Sequence, residues 1–174
     1  MKHMKLIFTS SILVIFSLFS ITASAETKVT TKLVDGKKFR DYQLTGYSRN
    51  KSLVVLQKSF NKLFTELVEK KQDQGILDKD LTMEVAITDI DLEGFYHFAL
   101  GPQIQDMRIV DSNTPFRMNF KYKIMDAQGK VLEQGEHEIN ELANPSLTAR
   151  GARRSGYVSY YIKPLKKWFD KTFN

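Results

Sequence analysis

Between residues 51 and 73, apolar side chains return every third or fourth position: Leu53, Leu56, Phe60, Leu63, Phe64 and Leu67. That period lays one apolar stripe along a helix, with Lys58, Asn61, Lys62, Glu66, Glu69 and Lys70 largely on the other side. Ser48 or Asn50 can cap it, and Asp73-Gln74-Gly75 stops it. Elsewhere the period drops to two. Thr27–Val34 alternates and is rich in β-branched residues, which predicts a strand closed by Asp35-Gly36. The polar and aromatic stretch 36–49 reads as an ordered connection packed through Phe39, Tyr42, Leu44 and Tyr47.

Leu81–Leu92 predicts a second strand, with Leu81, Met83, Val85 and Ile87 on one face. After Thr88 the phase inverts, so Asp89 and Asp91 would take the apolar face and Ile90 and Leu92 the other. A strand cannot invert its phase without a bulge or an end to half-burial, and an irregularity is expected near Thr88–Asp89. Arg108–Asp111 is a short strand candidate. Phe116, Met118, Phe120, Tyr122 and Ile124 then alternate with Arg117, Asn119, Lys121 and Lys123, which predicts a half-buried strand with one basic face. Asp126–Gly129 is a turn, and Lys130–Ile139 returns as a hairpin partner whose Glu133, Glu136 and Glu138 can oppose the basic strand. Residues 140–156 are turn-like and end in arginines. Tyr157–Phe173 reads as an amphipathic helix with a stripe of Val158, Tyr161, Ile162, Leu165, Trp168 and Phe169; Pro164 should kink or restart it. The order of elements implies an α+β fold: a mainly antiparallel sheet of about four strands, with the long N-terminal helix and the C-terminal helix packed on it.

The first 25 residues do not belong to that pattern. Lys2 and Lys5 precede an apolar run from Leu6 to Ile21, and Thr22-Ala23-Ser24-Ala25 places small residues before a cut after Ala25. These are the three parts of a secretory signal. The expected division is a signal over 1–25 and a single domain over 26–174. Without the signal, 174 residues become 149, and 26 basic residues fall to 24 against 20 acids, so the net charge drops from +6 to +4. So mild an excess on an exported chain argues against nucleic acid as a partner. The chain has no cysteine. Disulfides, thiolate metal sites, a cysteine nucleophile and a lipidated N-terminal cysteine are therefore excluded. The expected location is the periplasm or the exterior, with no membrane anchor once the signal is removed.

Four stretches in order resemble an uncharacterised bacterial family, domain of unknown function 3016. They are the N-terminal strand before a long helix, the run Thr88-Asp89-Ile90-Asp91-Leu92-Glu93-Gly94, the Arg108-Ile109-Val110 segment leading to Pro115 and the alternating strand, and a terminal helix carrying Tyr160, Leu165, Trp168 and Phe169. The run at Thr88 is similar to the family's T-D-I-D-L-A-G segment, with Glu93 in place of alanine. The resemblance implies a small exported α+β protein and brings no catalytic residues with it.

Few constellations could carry chemistry. Asp89, Asp91 and Glu93, followed by Gly94, copy the first half of a calcium loop, in which oxygens at alternate positions wrap a hard cation. The second half is missing, because Leu100 stands where a bidentate glutamate belongs, and Ile90 and Leu92 look like core residues, so the plainer expectation is a strand end whose carboxylates accept backbone or arginine hydrogen bonds. Asp89 and Asp91 would lie roughly 7 Å apart on a strand, a spacing compatible with a glycosidase pair. His97 and His137 share no metal-binding spacing, and neither a nucleophile elbow nor a glycine-rich phosphate loop is present. No cofactor motif is found. Arg150, Arg153 and Arg154, followed by Lys163, Lys167 and Lys171 at helical spacing, form a basic segment suited to phosphate or carboxylate. Two functions follow. The favoured one is a non-catalytic envelope binding or accessory protein that contacts a protein or an anionic envelope component through a sheet edge or this basic segment. The alternative is an envelope hydrolase or metal-dependent enzyme using Asp89, Asp91 and Glu93.

Overall fold

The computed structural model describes residues 27–92, 94–96, 108–109, 113–142 and 158–174. Strand β1 covers Lys28–Leu33 and is followed by a single 3-10 turn at Gly36–Lys38. Helix α1 covers Arg49–Asp73. Strand β2 is Thr82–Asp91, β3 is Phe95–Tyr96, β4 is Arg108–Ile109, β5 is Pro115–Met125 and β6 is Val131–Leu142; helix α2 is Ser159–Thr172. The main sheet has the order β1-β2-β5-β6, and β3 pairs with β4 in a separate two-stranded ribbon.

The sheet is mixed, which corrects the expectation of a mainly antiparallel one. β2 runs antiparallel to β5 and β5 to β6, but β1 lies parallel to β2. The cause is the connection. A two-residue hairpin returns a chain antiparallel, whereas β1 reaches β2 through the whole of α1, and such a crossover brings the next strand back in the same direction.

Both helices cover one face of the sheet. Phe60 and Phe64 of α1 meet Tyr161 of α2 and Phe120 of β5 at ring separations of 5.3 and 5.7 Å. Trp168 of α2 packs edge-on against Phe120 at 4.8 Å and Tyr122 at 4.9 Å. The stripe read from residues 51–73 is the buried side of α1, with Leu56, Phe60 and Phe64 wholly inaccessible. Asn61 ties α1 to β1 by accepting the Thr31 N–H at 2.8 Å. Lys71 is also buried, and its ammonium reaches Asp170 of α2 at 3.2 Å. The connection after β1 packs inward through Phe39, Tyr42 and Leu44, and Ser52 of α1 donates to the Ser48 carbonyl while accepting the Leu44 N–H. Helix α2 neither stops nor restarts at Pro164. The proline forgoes one backbone hydrogen bond, but burial of Tyr161 and Leu165 on either side of it holds the helix together.

Phase inversion in β2 is resolved by a bulge. Ile87 faces Phe120 and Asp89 faces Asn119, leaving Thr88 as an extra residue whose hydroxyl donates to the Asn119 carbonyl at 3.2 Å. The extra residue puts Ile90 and Leu92 back into the core beside Met83, Val85 and Ile87. It also turns Asp89 and Asp91 to the opposite face, where Glu84 pairs with Lys123 and Lys121 with Glu136. At the turn between β5 and β6, the Asp126 carboxylate accepts the N–H groups of Gln128 and Lys130, and Gly129 takes a positive φ of 79° that a side chain would disfavour.

Deleting Thr88 should expel Ile90 and Leu92 from the core and abolish cooperative unfolding in urea. Thr88→Ala keeps the extra residue and should cost no more than about 1 kcal/mol, the worth of one exposed hydrogen bond. A deletion variant that melts like the parent would show the bulge to be dispensable.

Candidate functional site

The acidic segment is built into the sheet. Asp89 accepts the Arg40 backbone N–H on Oδ1 at 3.2 Å and the Arg40 Nε on Oδ2 at 3.1 Å. Arg40 is brought there because the chain after the 3-10 turn rejoins the sheet: Asp41 donates its N–H to the Ile90 carbonyl at 3.1 Å and accepts the Leu92 N–H at 3.0 Å. Asp91 sits opposite Arg117 in the β2–β5 register. Burial, followed by the nearby Asp41 carboxylate, pushes the Asp91 carboxyl above its usual range, and Arg117 and Arg40 pull the other way. Tyr161 from α2 closes the arrangement from the core side. Its hydroxyl lies 3.1 Å from both the Asp91 and the Arg117 carbonyl oxygens, with one proton shared between them.

Asp89 and Asp91 are thus strand residues among arginines, and a cation would have to displace the Arg40 guanidinium to reach Asp89. Glu93 lies outside the described residues, as does His97. Among the described residues, no three acidic, histidine or cysteine side chains group as metal ligands would.

Of the basic segment, Arg150, Arg153 and Arg154 lie outside the described residues. Lys163, Lys167 and Lys171 are exposed on α2. Lys167 and Lys171 do not stand on an open cationic surface. They form one wall of a groove of about 500 Å³ whose other wall is β6 from Glu136 to Glu141. Six consecutive β6 residues line it although alternate side chains point to opposite faces of a sheet. The groove therefore runs along the edge of β6. Its floor is apolar, with Trp168, Pro164 and Ile139. His137 stacks on Trp168 at 5.6 Å with 25° between the planes and meets Phe120 edge-on. Burial, and then the Lys171 ammonium, hold the His137 imidazole below its ordinary pKa, with Glu138 acting in the opposite sense.

Sequence reasoning missed this groove. Its residues come from two elements read separately, one as a hairpin partner and the other as a lysine-faced helix. One local trace existed. Gly135 interrupts β6 opposite Tyr122, and a Cβ there would stand 3.1 Å from the Tyr122 hydroxyl, so the glycine makes room for the ring that borders the groove.

The fold defines a class: a four-stranded mixed sheet with two helices over one face. The chain belongs to the family described as protein of unknown function DUF3016, whose model matches residues 27–171. No curated protein matches it in sequence. Among solved structures, it is similar to the lipoprotein GNA1162 from Neisseria meningitidis at 14% identity and a TM-score of 0.31, over 82% of this chain and 99% of that one. It is also similar to the hypothetical protein CT253 from Chlamydia trachomatis at 8% identity and a TM-score of 0.36, over 84% of this chain and 93% of that one. Neither likeness is close enough to carry a function across.

Two titrations follow from these environments. A carboxyl whose folded pKa is raised favours the fold only below its unfolded value of 3.8 and opposes it as pH rises through the folded value. Asp91→Asn should therefore raise the melting temperature at pH 7, and the gain should vanish below pH 3.8; a loss at pH 7 would mean that the arginines dominate. For His137 the sign is opposite. Its lowered folded pKa supports the fold above 6.5, and that support is lost as pH falls below 6.5 toward the folded value. Urea midpoints should fall over that window in the parent and stay level in His137→Phe.

Proposed function

We propose that this is an exported envelope protein that binds instead of catalysing, with the signal over residues 1–25 removed after Ala25. The observation that carries the binding reading is the groove between β6 and α2: an apolar floor, rims of opposite charge and a strand edge along its length. About 500 Å³ lies within the range that ligand sites occupy. The hydrolase alternative draws less support, because the Asp89 carboxylate, which it would need free, is held by Arg40 on both oxygens. No helix among the described residues is long and apolar enough to cross a membrane. The partner fitting this reading is another envelope protein or an anionic envelope component, contacted through the β6 edge and the lysines of α2.

Mass spectrometry of the protein recovered from the producing cell should give a chain beginning at Glu26. A photo-crosslinking residue at Lys167 or Asn140 should capture a discrete envelope partner, while one at Lys62, on the exposed side of α1, should not. A chain retaining residues 1–25, or equal capture from both positions, would overturn the proposal.

A further inference from the structure

The edge of β6 has unusual properties for an exposed strand. It is 12 residues long, and no described strand pairs with its outer side. Half of its amide and carbonyl groups point outward from the sheet. Proteins blunt such edges with proline, lysine, an inward-pointing charge or a short strand. β6 has no proline and no lysine; its charges are all acidic, with Glu136 and Glu138 in its middle on the open face and Glu133 and Glu141, opposite Ile124 and Phe116, on the helix face toward its ends.

Resting on the binding reading above, we propose that the groove accepts an extended segment of another protein, added to β6 as a fifth strand, with basic side chains alternating with apolar ones. The charges set the alternation. On the open face the added strand would meet Glu136 and Glu138, which call for lysine or arginine. On the helix face it would meet Trp168, Pro164 and Ile139 beside Lys167 and Lys171, which call for an aliphatic or aromatic side chain and repel a basic one there. The same solution already exists one strand inward. β5 alternates basic and apolar residues, with Lys121 bridging to Glu136 and Phe120 facing His137. A second copy of this chain pairing through its own β6 is disfavoured, because antiparallel registers centred on His137 or Glu138 set glutamate against glutamate. Main-chain bonding along the edge supplies affinity, and the two faces supply specificity, as in other strand-addition complexes.

Trp168 is the sole tryptophan in the chain and forms part of the groove floor, so its fluorescence reports occupancy. The probes are blocked peptides of about eight residues, a typical strand length. One alternates lysine with valine and phenylalanine, the second replaces lysine with glutamate, and the third carries a central proline. The protein purified from its producing cell should show a saturable change in Trp168 emission with the lysine peptide alone. Its amides over residues 136–141 should gain exchange protection. Glu136→Lys combined with Glu138→Lys, both exposed, should weaken the lysine peptide by about tenfold and admit the glutamate peptide. Far-ultraviolet circular dichroism of that variant checks its fold. Equal response to all three peptides, protection elsewhere, or no response at millimolar lysine peptide would overturn the strand-addition proposal. So would a concentration-dependent doubling of mass in the peptide-free protein that the double variant abolishes, since that makes a second copy the occupant. If the peptides fail while Lys167 still crosslinks an envelope partner, the binding reading stands and only the strand-addition mode falls.

Discussion

Phase in β2 governs most of what surrounds it. A strand that buries one face must keep its apolar residues in step, and the six residues from Ile87 to Leu92 cannot do so without help. Thr88 supplies the missing half-step. With it, Ile87, Ile90 and Leu92 all enter the core, and Asp89 and Asp91 are delivered to the open face. There the chain following β1 can return, bond to Ile90 and Leu92 through Asp41, and set Arg40 against Asp89. From the core side, Tyr161 reaches the Asp91 and Arg117 carbonyls and so fastens α2 to the part of the sheet just past the bulge. Three separate segments therefore depend on one unpaired residue.

The position of α2 in turn creates the groove. Fastened by Tyr161 near its start and by the Trp168 cluster further along, the helix lies over β5 and leaves its lysine side toward the β6 edge. Lys71 adds a third attachment through Asp170. An ammonium that deeply buried is tolerated because it has a carboxylate within hydrogen-bond reach. Neither residue stands out in the sequence, since each reads as part of an ordinary charged helix face.

The α1 stripe, the β5 alternation and the irregularity at Thr88–Asp89 were all legible, because each is a local periodicity imposed by burial on one face. The carboxylates of Asp89 and Asp91 were legible as a strand-end pair that accepts backbone or arginine hydrogen bonds; which arginine was not, since Arg40 is 49 positions from Asp89. The lysine spacing on α2 was legible as well. What was not is the wall it faces, because lysines 167 and 171 border glutamates about 30 residues away whose own pattern speaks only of a hairpin. The direction of β1 was implicit in the strand–helix–strand order, which demands a crossover, yet residue periodicity says nothing about the direction in which two strands run.

By itself, the sequence determined the local elements, their buried faces, the need for a bulge and the family. Each of these follows from side-chain chemistry at spacings of a few residues. Only the tertiary structure decided the mixed strand order, the Arg40–Asp89 bond, the burial of Lys71 and the groove along β6. These depend on which distant faces come to lie side by side, and an apolar stripe specifies that it must be covered without specifying by what.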